Sequence, residues 1–239
     1  GSSAFTHKGG IHVSAIIKDP ATYEHMDPGI VGNSRRVLVS ELAGSSNIRY
    51  KAQELGLDLM KDVESTRRLS SEIKEMEYRG YQFEGADASL ELLLRRGLGQ
   101  YEEFFILESL KIFIEKQPAN GGGIESINSE AMIKLRVGDQ VMHTAAEGDG
   151  PVNALDNALK KALEQFYPYI QEMHLVDYKV RVLDGKDGTS AKVRVLIESA
   201  DASETWSTVG VSENIIEASW QALTDSMNYF LLRRSKCNS

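Results

Sequence analysis

The chain has 239 residues, 41% hydrophobic and 26% charged, enough for one or two globular domains with a sizeable core. Its formal charge of −8 excludes a general nucleic-acid binder, which needs a basic footprint to displace counterions. No apolar run reaches the roughly 18 residues of a membrane span, and the single Cys237 excludes an internal disulfide, which fits a reducing cytoplasm.

No signal-peptide pattern opens the chain. It starts at Gly1-Ser2-Ser3-Ala4 and runs at once into a dense motif, as expected of a piece cut from a longer protein. Lys18-Asp19-Pro20 and Met26-Asp27-Pro28-Gly29 are turn signals, with a short helix before them carrying Ile11, Ala15 and Ile16. Arg36 to Ser40 reads as a short extended segment, and Gly44-Ser45-Ser46-Asn47 offers a cap for a helix over Ile48 to Leu55. Residues 58 to about 98 read as helical, with Leu59, Val63, Leu69, Ile73 and Met76 at helical spacing. Gly80 and Gly85 break that run, Leu90 to Leu94 resumes it, and Gly97-Leu98-Gly99 ends it.

From about Tyr101 a three-strand, one-helix unit occurs twice. Strands are expected near 104–116, 130–137 and 140–146 with a helix near 151–166, then near 174–183, 190–198 and 205–210 with a helix near 213–232. Leu110, Ile112 and Ile114 reappear as Tyr178, Val180 and Val182, a shift of 68 (178 minus 110). Ile133, Leu135 and Val137 reappear as Val193, Val195 and Ile197, a shift of 60 (193 minus 133). One such unit cannot bury its apolar face alone, so the reading is an α+β domain of two βββα repeats with helices on one face of an antiparallel sheet. The other face needs a cover, most simply a second copy. The expected organisation is 1–56, a helical subdomain over 57–100, and the repeat domain over 101–239.

Two clusters could carry chemistry. His7-Lys8-Gly9-Gly10-Ile11-His12 sets two titratable imidazoles beside glycines that let a charged ligand approach, or is a glycine turn with surface histidines. Their spacing of five suits no helical metal pair and no thiolate stands near, so no metal site is read here. Gly148-Asp149-Gly150-Pro151-Val152-Asn153-Ala154 leads from strand to helix and leaves backbone N–H groups free for a carboxylate, or is a plain connecting turn. The equivalent stretch Val209-Gly210-Val211-Ser212-Glu213-Asn214 has a capping-box spacing between Asn214 and Glu217, so its own side chains can satisfy that helix. Val152, Val209 and Val211 could line a small apolar pocket. Asp177 and Tyr178 interrupt a strand and are candidates to hold an ammonium group, with an exposed strand edge as the other reading.

Ser3 to Val13, with its Thr6-His7-Lys8-Gly9-Gly10-Ile11-His12 core, resembles the linker signature of the isopropylmalate, homocitrate and citramalate synthase family. Tyr23-Glu24-His25-Met26-Asp27-Pro28, Val31-Gly32-Asn33 and Ser40 to Ile48 are most similar to the citramalate synthase branch, and Gly148-Asp149-Gly150-Pro151 resembles the effector loop of the family's C-terminal regulatory domain. The resemblance implies a full enzyme that condenses acetyl-CoA with a 2-keto acid and releases CoA. A divalent metal would sit on a TIM barrel absent from this chain, and this part would hold no cofactor of its own. It implies that His12, supported by His7, reaches the barrel of a partner subunit. It also implies a homodimeric regulatory domain inhibited by a branched-chain amino acid, isoleucine on the citramalate branch or leucine on the isopropylmalate branch. The other reading of the repeat domain is an assembly module with no working ligand pocket.

Overall fold

A computed structural model describes residues 6–7, 28–32, 36–37, 45–57, 63–117, 126–183 and 191–237. They fall into two compact units, Gly1–Tyr101 and Glu102–Ser239.

In the first unit β1 (Thr6–His7) pairs in parallel with β2 (Arg36–Val37), and Pro28–Val31 forms a 3-10 turn. Three helices follow, α1 (Ser45–Glu54), α2 (Val63–Tyr78) and α3 (Asp87–Gly97). Thr66, Leu69, Ser70 and Ile73 form the buried stripe of α2, at the spacing of one helical face. The predicted helical run breaks between Tyr78 and Asp87, as its glycines require. Helix α3 is buried from Ala88 to Arg95, so the ion pair within that stretch lies inside. Arg95 Nε donates to Glu91 Oε1 at 2.7 Å, and both side chains are shielded. Such a pair survives burial because each charge holds its partner.

The second unit holds the repeat. Strands β3 (Ile106–Gln117), β4 (Ser126–Val137) and β5 (Gln140–Gly148) form one antiparallel sheet, followed by α4 (Pro151–Leu163). A 3-10 turn, Pro168–Glu172, leads to β6 (His174–Val182), β7 (Val193–Ala200) and β8 (Thr205–Ser212), a second antiparallel sheet, and then α5 (Ile215–Cys237). The α+β class with two βββα units holds, and its six strands divide into two three-stranded sheets.

Strand register corrects one sequence reading. Ile133 pairs with Leu110 and Thr144, while Ile197 pairs with Tyr178 and Thr208. The middle strands are therefore related by 64 positions (197 minus 133), not 60. A strand repeats every two residues, so any even shift lays apolar on apolar, and alternation alone cannot tell 60 from 64. Polar contacts decide it. Thr144 Oγ1 donates to the Ala158 carbonyl at 3.0 Å, and Thr208 Oγ1 donates to the Ala222 carbonyl at 2.8 Å, each pair 14 residues apart. The first strands do follow the predicted shift of 68, and both carry a bulge at the matching place, Leu107/Ser109 and Leu175/Asp177.

Each helix covers only part of its sheet. Helix α4 packs on β5 and β4, and α5 on β8 and β7. Ala131, Ile133 and Leu135 are buried under the first helix and Val195 and Ile197 under the second. Trp206 stacks on Phe230 at 5.8 Å between centroids and donates its Nε1–H to Ser226 Oγ at 2.8 Å. The first strand of each repeat lies at the margin. Ile114, opposite buried Ser129, is 60% exposed, and Val180 and Val182, opposite Val195 and Val193, are 41% and 55% exposed. These apolar side chains stand on the helix side of their sheets without a helix over them.

Candidate functional site

The first repeat brings strand β5 directly onto the start of α4. A Cβ on Gly148 would lie 2.3 Å from the Ala154 nitrogen and 2.7 Å from its Cα, so only glycine fits. Gly150 is a different case. Its backbone is extended (φ −165°, ψ 172°), which any residue adopts, and a Cβ there would meet nothing within 4 Å. The fold requires the first glycine and does not require the second.

Pro151 occupies the first helical position and has no N–H to offer. The Ala154 N–H bonds the Gly150 carbonyl at 2.9 Å. Between them, the N–H groups of Val152 and Asn153 face out of the helix end, and no side chain caps it. Asn153 Oδ1 is turned back to accept the Asp149 N–H at 3.1 Å, which fixes the loop. Asn157 Nδ2 donates to the Glu147 carbonyl at 3.0 Å and ties the second helical turn to β5. The arrangement is an uncapped helix start with the partial positive charge of aligned peptide dipoles.

The second repeat closes the same place. Asn214 Oδ1 accepts the Ile216 N–H at 2.9 Å, and Ser212 Oγ accepts the Asn214 N–H at 3.1 Å. The predicted capping box forms only in half, because Glu217 Oε1 accepts from Gln221 Nε2 at 3.0 Å instead of reaching back. The oxygen of that amide, Gln221 Oε1, accepts the Val211 N–H at 3.0 Å. Gly210 is packed against the helix, where a Cβ would lie 2.0 Å from the Ala218 carbonyl oxygen. Val209 and Val211 are 1% and 9% exposed, so the expected valine wall is buried within this chain.

Asp177 and Tyr178 are adjacent on β6 and point to opposite faces. Asp177 forms an ion pair with Lys179 and accepts the Tyr178 N–H at 2.9 Å. The hydrogen bond from Lys179 leads in holding this carboxyl below the usual range, helped by the lysine charge and that N–H against a smaller effect of burial. The Tyr178 hydroxyl shares a 2.8 Å hydrogen bond with Ser219 Oγ, whose own proton goes to the Ile215 carbonyl. Tyr178 thus serves the first turn of α5, and its hydroxyl is engaged there. His7 lies on β1, its backbone beside Val37, and His12 lies outside the described residues.

Sequence reasoning passed over Asp156, which reads as one more polar position on α4. It is only 6% exposed. Its Oδ2 accepts from Lys160 Nζ at 2.8 Å, while Oδ1 is shielded and has no hydrogen-bond partner. A cleft of about 360 Å³ lies elsewhere, lined by Glu172, Asp201, Ala202, Ser203, Arg233 and Arg234. Arg233 pairs with Glu204 at 2.6 Å, and Arg234 pairs with Glu172, so its charges are mutually held.

Among the described residues no three His, Cys, Asp or Glu side chains group to hold a metal, and no helix is long and apolar enough to cross a membrane. A family model for the homocitrate synthase post-HMGL domain-like region matches residues 1–80, and one for the LeuA allosteric (dimerisation) domain matches residues 84–231. The chain is similar to the (R)-citramalate synthase of Geobacter sulfurreducens, 54% identical over 97% of this chain and 43% of the relative. The Aquifex aeolicus (R)-citramalate synthase is 49% identical over 98% of this chain and 43% of its own length, and that of Sulfolobus acidocaldarius is 42% identical over 97% and 42%. The chain therefore spans well under half the length of these curated relatives. With its repeat unit inside the matched region, the chain belongs to the family that carries the LeuA allosteric (dimerisation) domain.

Proposed function

We propose that this chain is the linker and regulatory part of an acetyl-CoA-dependent 2-keto-acid acyltransferase, one that condenses acetyl-CoA with pyruvate to citramalate. The names of the relatives support that activity, and an enzyme of this kind works in the cytoplasm. The catalytic barrel and its divalent metal belong to sequence outside this chain. The described residues offer that ion no ligand set. His12, with His7 in support, completes the active site of a neighbouring barrel. The fragment alone is inactive.

The repeat domain acts as a homodimer and binds a branched-chain amino acid as feedback inhibitor, isoleucine ahead of leucine. The observation that carries this reading is the uncapped start of α4. There the N–H groups of Val152 and Asn153 take the effector's carboxylate, and Gly150 keeps the approach clear. A carboxylate at such a site gains about 0.3–1 kcal/mol when exposed and up to about 2 kcal/mol when partly buried. The uncovered apolar residues of β3 and β6 supply the dimer contact. Their burial contributes roughly 25 cal/mol per Å² of apolar surface.

A second reading, an assembly module without a ligand, draws on the burial of Val209 and Val211, which removes the apolar wall from the single chain. Calorimetric titration with isoleucine and leucine separates the two. We expect heat with isoleucine in the wild type and none in Gly150→Asp. That variant's carboxylate caps the helix from within, where Asp is favoured, and repels the guest. A folded dimer silent to both amino acids would reject the effector site and leave the assembly module.

A further inference from the structure

Resting on the effector reading of the α4 start, we propose that Asp156 receives the effector's ammonium group, so that the site selects α-amino acids over simple carboxylic acids. Three observations carry this. Asp156 lies four residues beyond Val152 on the same helical face, about one turn or ~6 Å along the axis from the free N–H groups. Side chains on a helix lean toward its start, a rule that directs a carboxylate at this position toward Val152 and the uncapped end. Its Oδ2 is held by Lys160, and its Oδ1 is buried without a hydrogen-bond partner. A buried carboxylate oxygen left unmatched is unusual, and a cationic donor of the right reach satisfies it.

The second repeat supplies the internal control. At a shift of 64, Asp156 corresponds to Trp220 and Lys160 to Thr224. The repeat that caps its own helix with Asn214 also lacks the acid. The donor for a carboxylate and the acceptor for an ammonium occur together in one repeat and are both missing from the other.

The test compares L-isoleucine with 3-methylpentanoate, the same molecule without its ammonium group, by calorimetry on the protein and two variants. Wild type should prefer isoleucine by about tenfold or more, the usual scale of a charge-assisted hydrogen bond. In Asp156→Asn isoleucine should fall to the level of 3-methylpentanoate, with 3-methylpentanoate itself unchanged within about twofold. Lys160→Met removes the intrahelical partner and should keep the preference. Equal losses in both variants, or an unchanged preference in Asp156→Asn, would overturn the assignment while leaving the effector site standing. A wild type that binds neither compound removes both. Should Asp156→Asn fail to fold, the wild-type carboxylate carbon resonance of Asp156 decides. It should move with isoleucine and stay with 3-methylpentanoate, and a signal still under both overturns the proposal.

Discussion

The two repeats share a backbone plan and differ at the place where a strand hands over to a helix. Both hold helix to strand with a threonine hydroxyl 14 residues before an alanine carbonyl, and both bulge the first strand at the same point. At the tip of α5, Asn214 and Ser212 satisfy the backbone from within. At the tip of α4, Gly150 and Pro151 leave it open. Duplication alone would give two equal sites. The difference teaches that one copy is built for closure, and that its counterpart keeps two donors that the fold could have capped with a single asparagine.

The comparison breaks hardest at Gly148. Gly148→Val drives a side chain into the Ala154 backbone, and we expect a loss of about 3 kcal/mol or more in urea unfolding. Gly150→Ala meets open space and an extended backbone, so its stability should stay within about 0.5 kcal/mol of wild type while isoleucine affinity falls. If the two glycines behaved alike, the distinction between a structural and a functional glycine would be lost. Next in size is assembly. Val180→Glu sets a charge on the uncovered side of β6, and light scattering should find monomer where wild type is dimer. An unchanged mass would remove the first strands from the interface.

Smaller effects sharpen the contrast between tips. Asn214→Ala should cost about 1 kcal/mol through loss of its cap, whereas Asn153→Ala, whose side chain holds only a loop N–H, should cost less. The smallest concerns Asp201 in the β7–β8 turn. Burial raises its pKa, but the bonds from Ser203 and Glu204, with Arg233 nearby, outweigh that and hold it below the usual value. A depressed carboxyl stabilises the fold above its unfolded pKa of about 3.9, and that contribution fades as pH falls through the folded value. Unfolding curves of wild type and Asp201→Asn should therefore differ at neutral pH and converge in acid. A gap that persists in acid would deny Asp201 this role.

Much of this was legible in the sequence because glycine, proline and asparagine act locally. Gly150-Pro151 announces a helix start without a cap, and Asn214 announces one with its own. What stayed hidden depends on neighbours across the fold. The offset of the middle strands needed the Thr144 and Thr208 contacts, since an alternating pattern is blind to even shifts. The burial of Val209 and Val211 is a tertiary fact, and so is the engagement of Tyr178 with Ser219. Asp156 looked like any polar helix residue until its unmatched oxygen appeared inside.

The central claim is that one helix tip per chain is open to an acid group. Amide resonances followed during an isoleucine titration test it directly. The account predicts saturating shifts at Val152 and Asn153, one equivalent per chain, and an Ile216 amide that stays still. Shifts that begin at Ile216, or a bound isoleucine that leaves Val152 and Asn153 unmoved, would contradict it.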